Sequence, residues 1–168
     1  MQHLSDPMAC ATASSPLPAG GTLAGRTAVV TGGTSGIGLA IARLLSAEGA
    51  RIAIMARDDE QLREARRPDV QGNPSTPWRL ASGDVGRPAD VERFMEDAER
   101  VFGQLDIVVS NAGFHHADAI ENVSPDTWRA VFDTHLGGAF LFSRTAFAHW
   151  KRRARGGCLV FVASKAAV

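Results

Sequence analysis

The chain has 168 residues, which is enough for one domain with a sizeable core and too few to expect two. Its 18 basic and 18 acidic side chains balance, so nucleic acid and anionic membranes are not indicated as partners, and we expect a small molecule instead. No apolar run is long enough for a transmembrane helix, and the start lacks the pattern of a signal peptide. Two cysteines, Cys10 and Cys158, form neither a disulfide framework nor a metal-ligand pattern, which predicts a cytoplasmic protein.

Residues 1–22 are rich in small residues, proline and glycine and show no periodicity, which predicts a disordered N-terminal tail. Residues 23–168 are predicted to form one domain. It begins with a strand at Thr27 to Val30, followed by the sequence Thr31-Gly32-Gly33-Thr34-Ser35-Gly36-Ile37-Gly38. Gly32 suits a tight turn, Gly36 lets the main chain approach a pyrophosphate, and Gly38 allows close packing of the next helix. The spacing indicates a dinucleotide site, although a plain strand-to-helix turn has similar glycines.

A helix follows, because apolar residues recur at helical spacing; these are Ile37, Ala40, Ile41, Leu44 and Leu45, which we expect to be buried. A second strand is predicted at Arg51 to Ala56. Arg57 ends it, close to where a dinucleotide-binding fold contacts the ribose, and an arginine there suits a 2′-phosphate. An exposed arginine opening a helix is the alternative interpretation.

Three further elements are predicted in the middle of the chain. Asp58, with Gln61 three residues later, indicates the cap of a short helix that ends near Arg67-Pro68. A polar loop from Val70 to Pro77 leads to a third strand at Trp78 to Ser82, which Asp84-Val85 ends. A helix then begins at Pro88 and runs to Phe102 with an apolar face.

The last part of the sequence is predicted to form two strands and a long helix. The apolar run Leu105 to Ser110 is typical of a covered parallel strand and closes with Asn111-Ala112-Gly113. Ser124-Pro125 begins a helix that reaches Trp150, with Gly137-Gly138 indicating close backbone packing. Cys158 to Ala163 predicts a fifth buried strand, with Cys158 as a small core residue, and Ser164 and Lys165 follow. The fold class is therefore α/β, a doubly wound parallel sheet of the Rossmann type with strand order 3-2-1-4-5, incomplete at one edge.

Four motifs together resemble the short-chain dehydrogenase/reductase family. They are the Thr31-Gly32-x-x-x-Gly36-Ile37-Gly38 loop, Asp84-Val85, Asn111-Ala112-Gly113, and an aliphatic strand that leads to Ser164. The resemblance runs from about Leu23 to Val168 and covers the cofactor half of the family fold, so we expect the chain to be C-terminally truncated.

The resemblance implies a nicotinamide cofactor and names its contacts. Asp84 would hydrogen-bond the adenine, Val85 would pack beside it, and Asn111, Ala112 and Gly113 would line the cofactor. Arg57 follows Ala56, where NAD-preferring relatives carry an acid, so NADP is preferred and NAD stays possible. With the loop, the implied cofactor-binding set is Gly32, Thr34, Ser35, Gly36, Ile37, Gly38, Arg57, Asp84, Val85, Asn111, Ala112 and Gly113.

The family transfers hydride between nicotinamide and a carbonyl or alcohol carbon, using a Tyr-x-x-x-Lys pair, a serine and an asparagine. Ser164 matches the serine, and His135 occupies the asparagine position, so these two are the implied catalytic residues. The chain has no tyrosine. Phe161 to Lys165 could be read as that pair with phenylalanine for tyrosine, but the reading would remove the fifth strand from the sheet.

Two functions are compatible with this sequence. The chain is either the cofactor half of an NADP-dependent oxidoreductase, inactive alone, or a noncatalytic NADP-binding or sensing module. The family's homo-oligomers pack through the long helix, so we expect a full-length relative to be oligomeric and the isolated chain to be poorly soluble.

His135 is as compatible with packing as with catalysis. His115-His116 predicts a solvated loop rather than a metal site, and the basic residues Lys151 to Arg155 suit a helix end rather than nucleic acid.

Overall fold

One sheet of five parallel strands organises the molecule. The computed structural model describes residues 21–71, 73 and 75–164, so residues 1–20 of the predicted tail and Lys165 lie outside the described residues. The strands are β1 (Thr27–Thr31), β2 (Arg51–Ala56), β3 (Trp78–Ser82), β4 (Ile107–Ser110) and β5 (Cys158–Phe161). Their spatial order is β3-β2-β1-β4-β5 and every pairing is parallel, which confirms the predicted topology.

Helices connect the strands. They are α1 (Gly36–Ala47), α2 (Asp59–Ala65), α3 (Pro68–Gln71), α4 (Pro88–Phe102), α5 (Pro125–Phe132) and α6 (Gly138–Arg152), with a 3-10 turn at Ile120–Asn122. Both predicted caps are confirmed, because the Asp58 carboxylate accepts from the main-chain N–H of Gln61 and the Ser124 hydroxyl from that of Thr127. The second helix ends at Ala65, earlier than predicted, and α3 occupies the start of the predicted polar loop.

The sheet is covered on both faces, as a doubly wound fold requires. On one face, Val29, Val108 and neighbouring strand residues pack against α4 and α6, where Phe94 and Phe142 are buried. On the other, Val30 and Ile54 belong to a second cluster with residues of α1 and α2. Successive residues of β1 and β2 thus serve opposite cores, which explains why these strands read as continuous apolar runs.

The prediction that the apolar stripe of α1 is buried is wrong in part. Ile37 and Leu44 are 66% and 65% exposed, whereas the buried residues are Gly38, Ala42 and Ser46. The helix therefore approaches the sheet through small side chains. Hydrophobicity alone did not identify this face, because close packing of helix on strand selects small size.

The predicted long helix is interrupted. A π-helical turn, Asp133–Gly137, separates α5 from α6. The predicted close packing holds for Gly138 but not for Gly137. A Cβ atom on Gly138 would lie 3.0 Å from Val85 Cγ2, while the nearest contact of one on Gly137 would be 3.7 Å away.

The prediction that β5 is buried is also wrong. Phe161 is 55% exposed, and Cys158, predicted as a core residue, is exposed. An apolar run indicates a strand that suits burial on both faces, but β5 lies at the sheet edge in the part of the chain that the structure describes. Phe161 does lie within a strand paired with β4, which agrees with the strand-then-serine interpretation. The low solubility of the isolated chain stays a prediction.

Helix length and composition also bear on membranes. Within the described ranges, none of the helices combines the length and the apolar character that a bilayer crossing requires.

Candidate functional site

A crevice of about 870 Å³ opens at the carboxyl ends of β1, β2 and β4. Its volume falls in the usual range for small-molecule sites. Its walls are formed by Gly32, Thr34, Ser35, Gly36, Ile37, Gly38, Met55, Ala56, Arg57, Asp58, Gln61, Gly83, Val85, Asn111, Ala112, Gly113 and Thr134. Eleven of the twelve predicted cofactor-binding residues lie in these walls, and Asp84 is the exception. The fold therefore brings residues from four separate loops to one place.

The loop from Thr31 to Gly38, hereafter the glycine loop, forms part of the crevice wall. Gly32 and Gly36 have φ angles of +62° and +52°, in the left-handed region where a Cβ atom is unfavourable. A Cβ atom built on Gly36 would meet nothing within 4 Å, so the main chain there borders open space. Gly38 differs, because its Cβ would overlap the carbonyl oxygen of Gly32 and lie 2.5 Å from Asn111 Nδ2.

The start of α1 is suited to an anion. The first N–H groups of a helix have no partner within it, and a side-chain cap commonly accepts from one of them. Ser35 precedes α1 but makes no side-chain cap hydrogen bond. Its hydroxyl donates instead to Gln61 Oε1, at 3.4 Å. The amides at the start of α1 thus keep their capacity to donate to a phosphate group in the crevice.

Asn111 and Thr31 hold the loop after β4 against the glycine loop. Asn111 Nδ2 donates to the main-chain oxygens of Thr31 and Gly32, at 3.1 and 3.2 Å. Thr31 Oγ1 accepts from the main-chain N–H groups of Asn111 and Ala112, both at 2.9 Å. The Asn-Ala-Gly segment therefore fixes the spacing between the two sides of the crevice.

Asp84 has a structural contact in addition to its predicted adenine contact. Its Oδ1 accepts from the N–H of Gly86, and its own N–H donates to Asp90 Oδ2. That main-chain donor, with the pairing to Arg93, holds the pKa of Asp90 below its ordinary value of 3.8 despite the opposing effect of burial. Asp90 thus fixes the turn that brings Val85 into the crevice wall, while adenine recognition by Asp84 stays a prediction.

Arg57 is exposed at the end of β2, beside the crevice. Its guanidinium lies over the ring of Phe114, with Cζ 5.6 Å from the ring centroid. The predicted site did not include Phe114, since its contact depends on how the loop after β4 folds back across the sheet edge.

His135 lies in the π-helical turn and contacts the same loop. Its Nε2 is 3.0 Å from the main-chain oxygen of Phe114 and 3.3 Å from its N–H. A Cβ atom on Gly113 would lie 3.0 Å from His135 Nδ1, so the imidazole covers that glycine. His135 is itself exposed, and these contacts connect it to the loop, while its catalytic role stays a prediction.

Ser164 is exposed beyond the end of β5, and neither it nor His135 lines the crevice. Within the described ranges, no group of three His, Cys, Asp or Glu side chains is placed to hold a metal ion. The crevice therefore has the features of a binding site, and the chain supplies no tyrosine as a proton donor beside it.

Sequence reasoning missed three polar residues of the crevice, Asp58, Gln61 and Thr134. Thr134 is buried and lines the wall from the π-helical turn. Gln61, identified only as part of a helix cap, accepts a hydrogen bond from Thr34 Oγ1 at 3.0 Å. No local pattern could have revealed that contact, since the two residues are brought together by the packing of α2 beside the glycine loop.

Comparison with known sequences points to a single protein family. The family model for short chain dehydrogenase matches residues 26–168. D-beta-hydroxybutyrate dehydrogenase of Cupriavidus necator is 37% identical over 131 residues, covering 78% of this chain and 50% of the relative. Versicolorin reductase of Emericella nidulans is 34% identical over 145 residues, covering 86% of this chain and 53% of the relative. The chain thus spans about half the length of these relatives.

Solved structures agree on the fold. A short chain dehydrogenase from Burkholderia cenocepacia, crystallised in complex with NADP, superposes with a TM-score of 0.76 at 29% identity. The match covers 85% of this chain and 57% of that one. The matched family model, the sheet order and the glycine loop together show that this chain belongs to the short-chain dehydrogenase family.

Proposed function

We propose that this chain is the cofactor-binding part of an NAD(P)-dependent oxidoreductase. The observation that carries the proposal is the start of α1, where Gly36 borders open space and Ser35 leaves the first amides without a side-chain cap. Family membership supports a nicotinamide dinucleotide as the ligand. In this proposal the amides around Gly36 bind the diphosphate, and Val85, Ala112 and Gly113 line the rest of the cofactor.

We propose further that NADP is preferred over NAD. Arg57 lines the crevice directly after Ala56, the position at which NAD-preferring relatives carry an acid. A guanidinium can form two parallel hydrogen bonds with phosphate oxygens. The NADP complex of the Burkholderia cenocepacia relative is compatible with this preference.

The proposed reaction is hydride transfer between nicotinamide and the carbonyl or alcohol carbon of a small molecule. The bound cofactor would supply the hydride chemistry. Ser164 would hold the substrate oxygen, and His135 would stand where the family carries an asparagine that supports proton transfer. General acid–base catalysis typically contributes about 10²–10⁴ in rate, and a chain without tyrosine lacks the family's proton donor. We therefore propose that these 168 residues alone are inactive.

An exposed apolar surface supports oligomerisation as part of the proposal. Trp128, Phe132, Leu136 and Phe140 on α5, the π-helical turn and α6 are between 41% and 63% exposed. The resemblance assigns subunit contacts to this helix, so a full-length relative is expected to pair there.

A noncatalytic NADP-binding or sensing module is the second candidate. Such a module would need only the crevice and the glycine loop, which the described residues provide. Extending the reading frame in the parent DNA separates the two, because a downstream Tyr-x-x-x-Lys supports the oxidoreductase. A reading frame without that motif, together with a well-folded 168-residue protein that binds NADPH, supports the module.

Fluorescence titration with NADPH and NADH tests the binding proposal. Gly36→Ala places a methyl group in the crevice at a left-handed φ and should weaken both cofactors at least about tenfold. Gly103→Ala is the matched control, since Gly103 has a φ of +78°, an equally open surrounding and no place in the crevice. It should leave both affinities unchanged. Wild-type protein that binds neither cofactor saturably would show the proposal to be wrong.

A further inference from the structure

Gln61 connects α2 to the glycine loop at the edge of the crevice. Its Oε1 accepts from Thr34 Oγ1 at 3.0 Å and from Ser35 Oγ at 3.4 Å. Its main-chain N–H donates to Asp58 Oδ1 at 2.9 Å. Two hydroxyl groups therefore hold the side-chain oxygen of Gln61, and the helix cap holds its main chain.

That orientation leaves the amide nitrogen for a ligand. Both loop hydroxyls donate to Oε1, and Nε2, the other terminal atom of the same planar amide, makes no hydrogen bond to any described residue. Gln61 lines the crevice together with Arg57 and Ser35. Gln61 can thus donate at the same end of the crevice as the guanidinium.

The donors at this end distinguish a phosphate from a hydroxyl. A phosphate dianion offers only acceptor oxygens, whereas a ribose hydroxyl also needs an acceptor for its own proton. The Asp58 carboxylate also lines the crevice, and one of its oxygens accepts from the main-chain N–H of Gln61. Arg57 and Gln61 Nε2 add two side-chain donors to the same crevice, and donors are what the 2′-phosphate of NADP requires.

We propose that Gln61 is a specificity-determining residue that donates from Nε2 to the 2′-phosphate while Oε1 holds the glycine-loop hydroxyls. The inference rests on the proposed function and adds a residue of α2 to it. It assigns part of the NADP preference to a side chain outside the glycine loop and the end of β2.

Gln61→Glu tests this directly. The glutamate has the same shape and still accepts from Thr34 and Ser35, but it replaces the donor with a negative charge. A hydrogen bond to a charged group corresponds to roughly tenfold or more in affinity, so the dissociation constant for NADPH should rise at least about tenfold. The constant for NADH should change less than about threefold, because NADH has no 2′-phosphate.

Arg63→Gln is the matched control. It lowers the charge of α2 by one, as Gln61→Glu does, but Arg63 does not line the crevice. It should leave the ratio of the two dissociation constants unchanged. If Gln61→Glu weakens NADPH and NADH equally, or neither, Gln61 acts only on the loop and the inference is overturned while the proposed function stands. Wild-type protein that binds neither cofactor would overturn both.

Discussion

The Arg57 guanidinium lies over the ring of Phe114, 5.6 Å from its centroid. Arg57 follows β2 and Phe114 follows β4, and these strands pair with opposite edges of β1. The contact therefore spans the carboxyl end of β1, where the crevice opens. The side chain that we propose for the 2′-phosphate thus contacts an aromatic ring.

Phe114→Leu should strengthen NADP binding. A cation–π contact at an exposed site contributes about 0.5–1 kcal/mol, which the arginine must give up before it binds phosphate. Removing the ring should lower the dissociation constant for NADPH by roughly two- to fivefold and leave that for NADH unchanged. Phe147→Leu, at an exposed position of α6 outside the crevice, is the control. Weaker NADPH binding by Phe114→Leu would show that the ring supports Arg57 instead of competing for it.

Local signals were sufficient to predict the five strands and their order, but not α3 or the π-helical turn between α5 and α6. Glycine, proline and capping residues mark the boundaries of elements at Gly32, Asp58, Pro88 and Ser124. The alternation of strands with helices permits few topologies. Eleven cofactor-binding candidates lie together because the carboxyl ends of parallel strands meet at one sheet edge.

Tertiary contacts account for what sequence could not predict. Ile37 fits a helical stripe but lines the crevice and is exposed, because α1 packs through Gly38 and Ala42. The sequence identifies Gln61 only as part of a helix cap, because its contact with the glycine loop arises from the packing of α2. The exposure of Cys158 depends on what lies beside β5, which its own residues do not encode.

Gly38→Ala should destabilise the chain by about 1–3 kcal/mol, the usual range for overpacking. The new methyl group would overlap the Gly32 carbonyl and press on Asn111 Nδ2, so the glycine loop or α1 must shift. Urea unfolding measures the effect. Gly156→Ala is the control, because a Cβ there would meet nothing within 4 Å. Equal stability of the two variants would contradict the close approach.

Asp90→Asn should lower the free energy of unfolding at pH 7 by about 1 kcal/mol, because a charge-assisted hydrogen bond from Asp84 becomes a neutral one. The folded-state pKa of Asp90 lies below 3.8. The carboxylate's contribution is therefore fully present above pH 3.8 and is lost as the pH falls through the lower folded value. Urea unfolding between pH 7 and pH 3 should show the variant approaching wild type in acid. A difference independent of pH would contradict the assignment, and Glu121→Gln, which removes an exposed carboxylate, is the control.

His135→Ala should loosen the loop that carries Phe114. In the tautomer whose Nε2 carries no hydrogen, the imidazole accepts from the Phe114 N–H, so its removal leaves that amide without its partner. A hydrogen bond of about 0.5–1.5 kcal/mol corresponds to roughly two- to tenfold faster amide exchange at Phe114. Hydrogen exchange measured by NMR provides the test, with the exposed neighbour His115→Ala as control. Unchanged exchange would mean that the π-helical turn holds this loop without its histidine, and the packing role of His135 would be wrong.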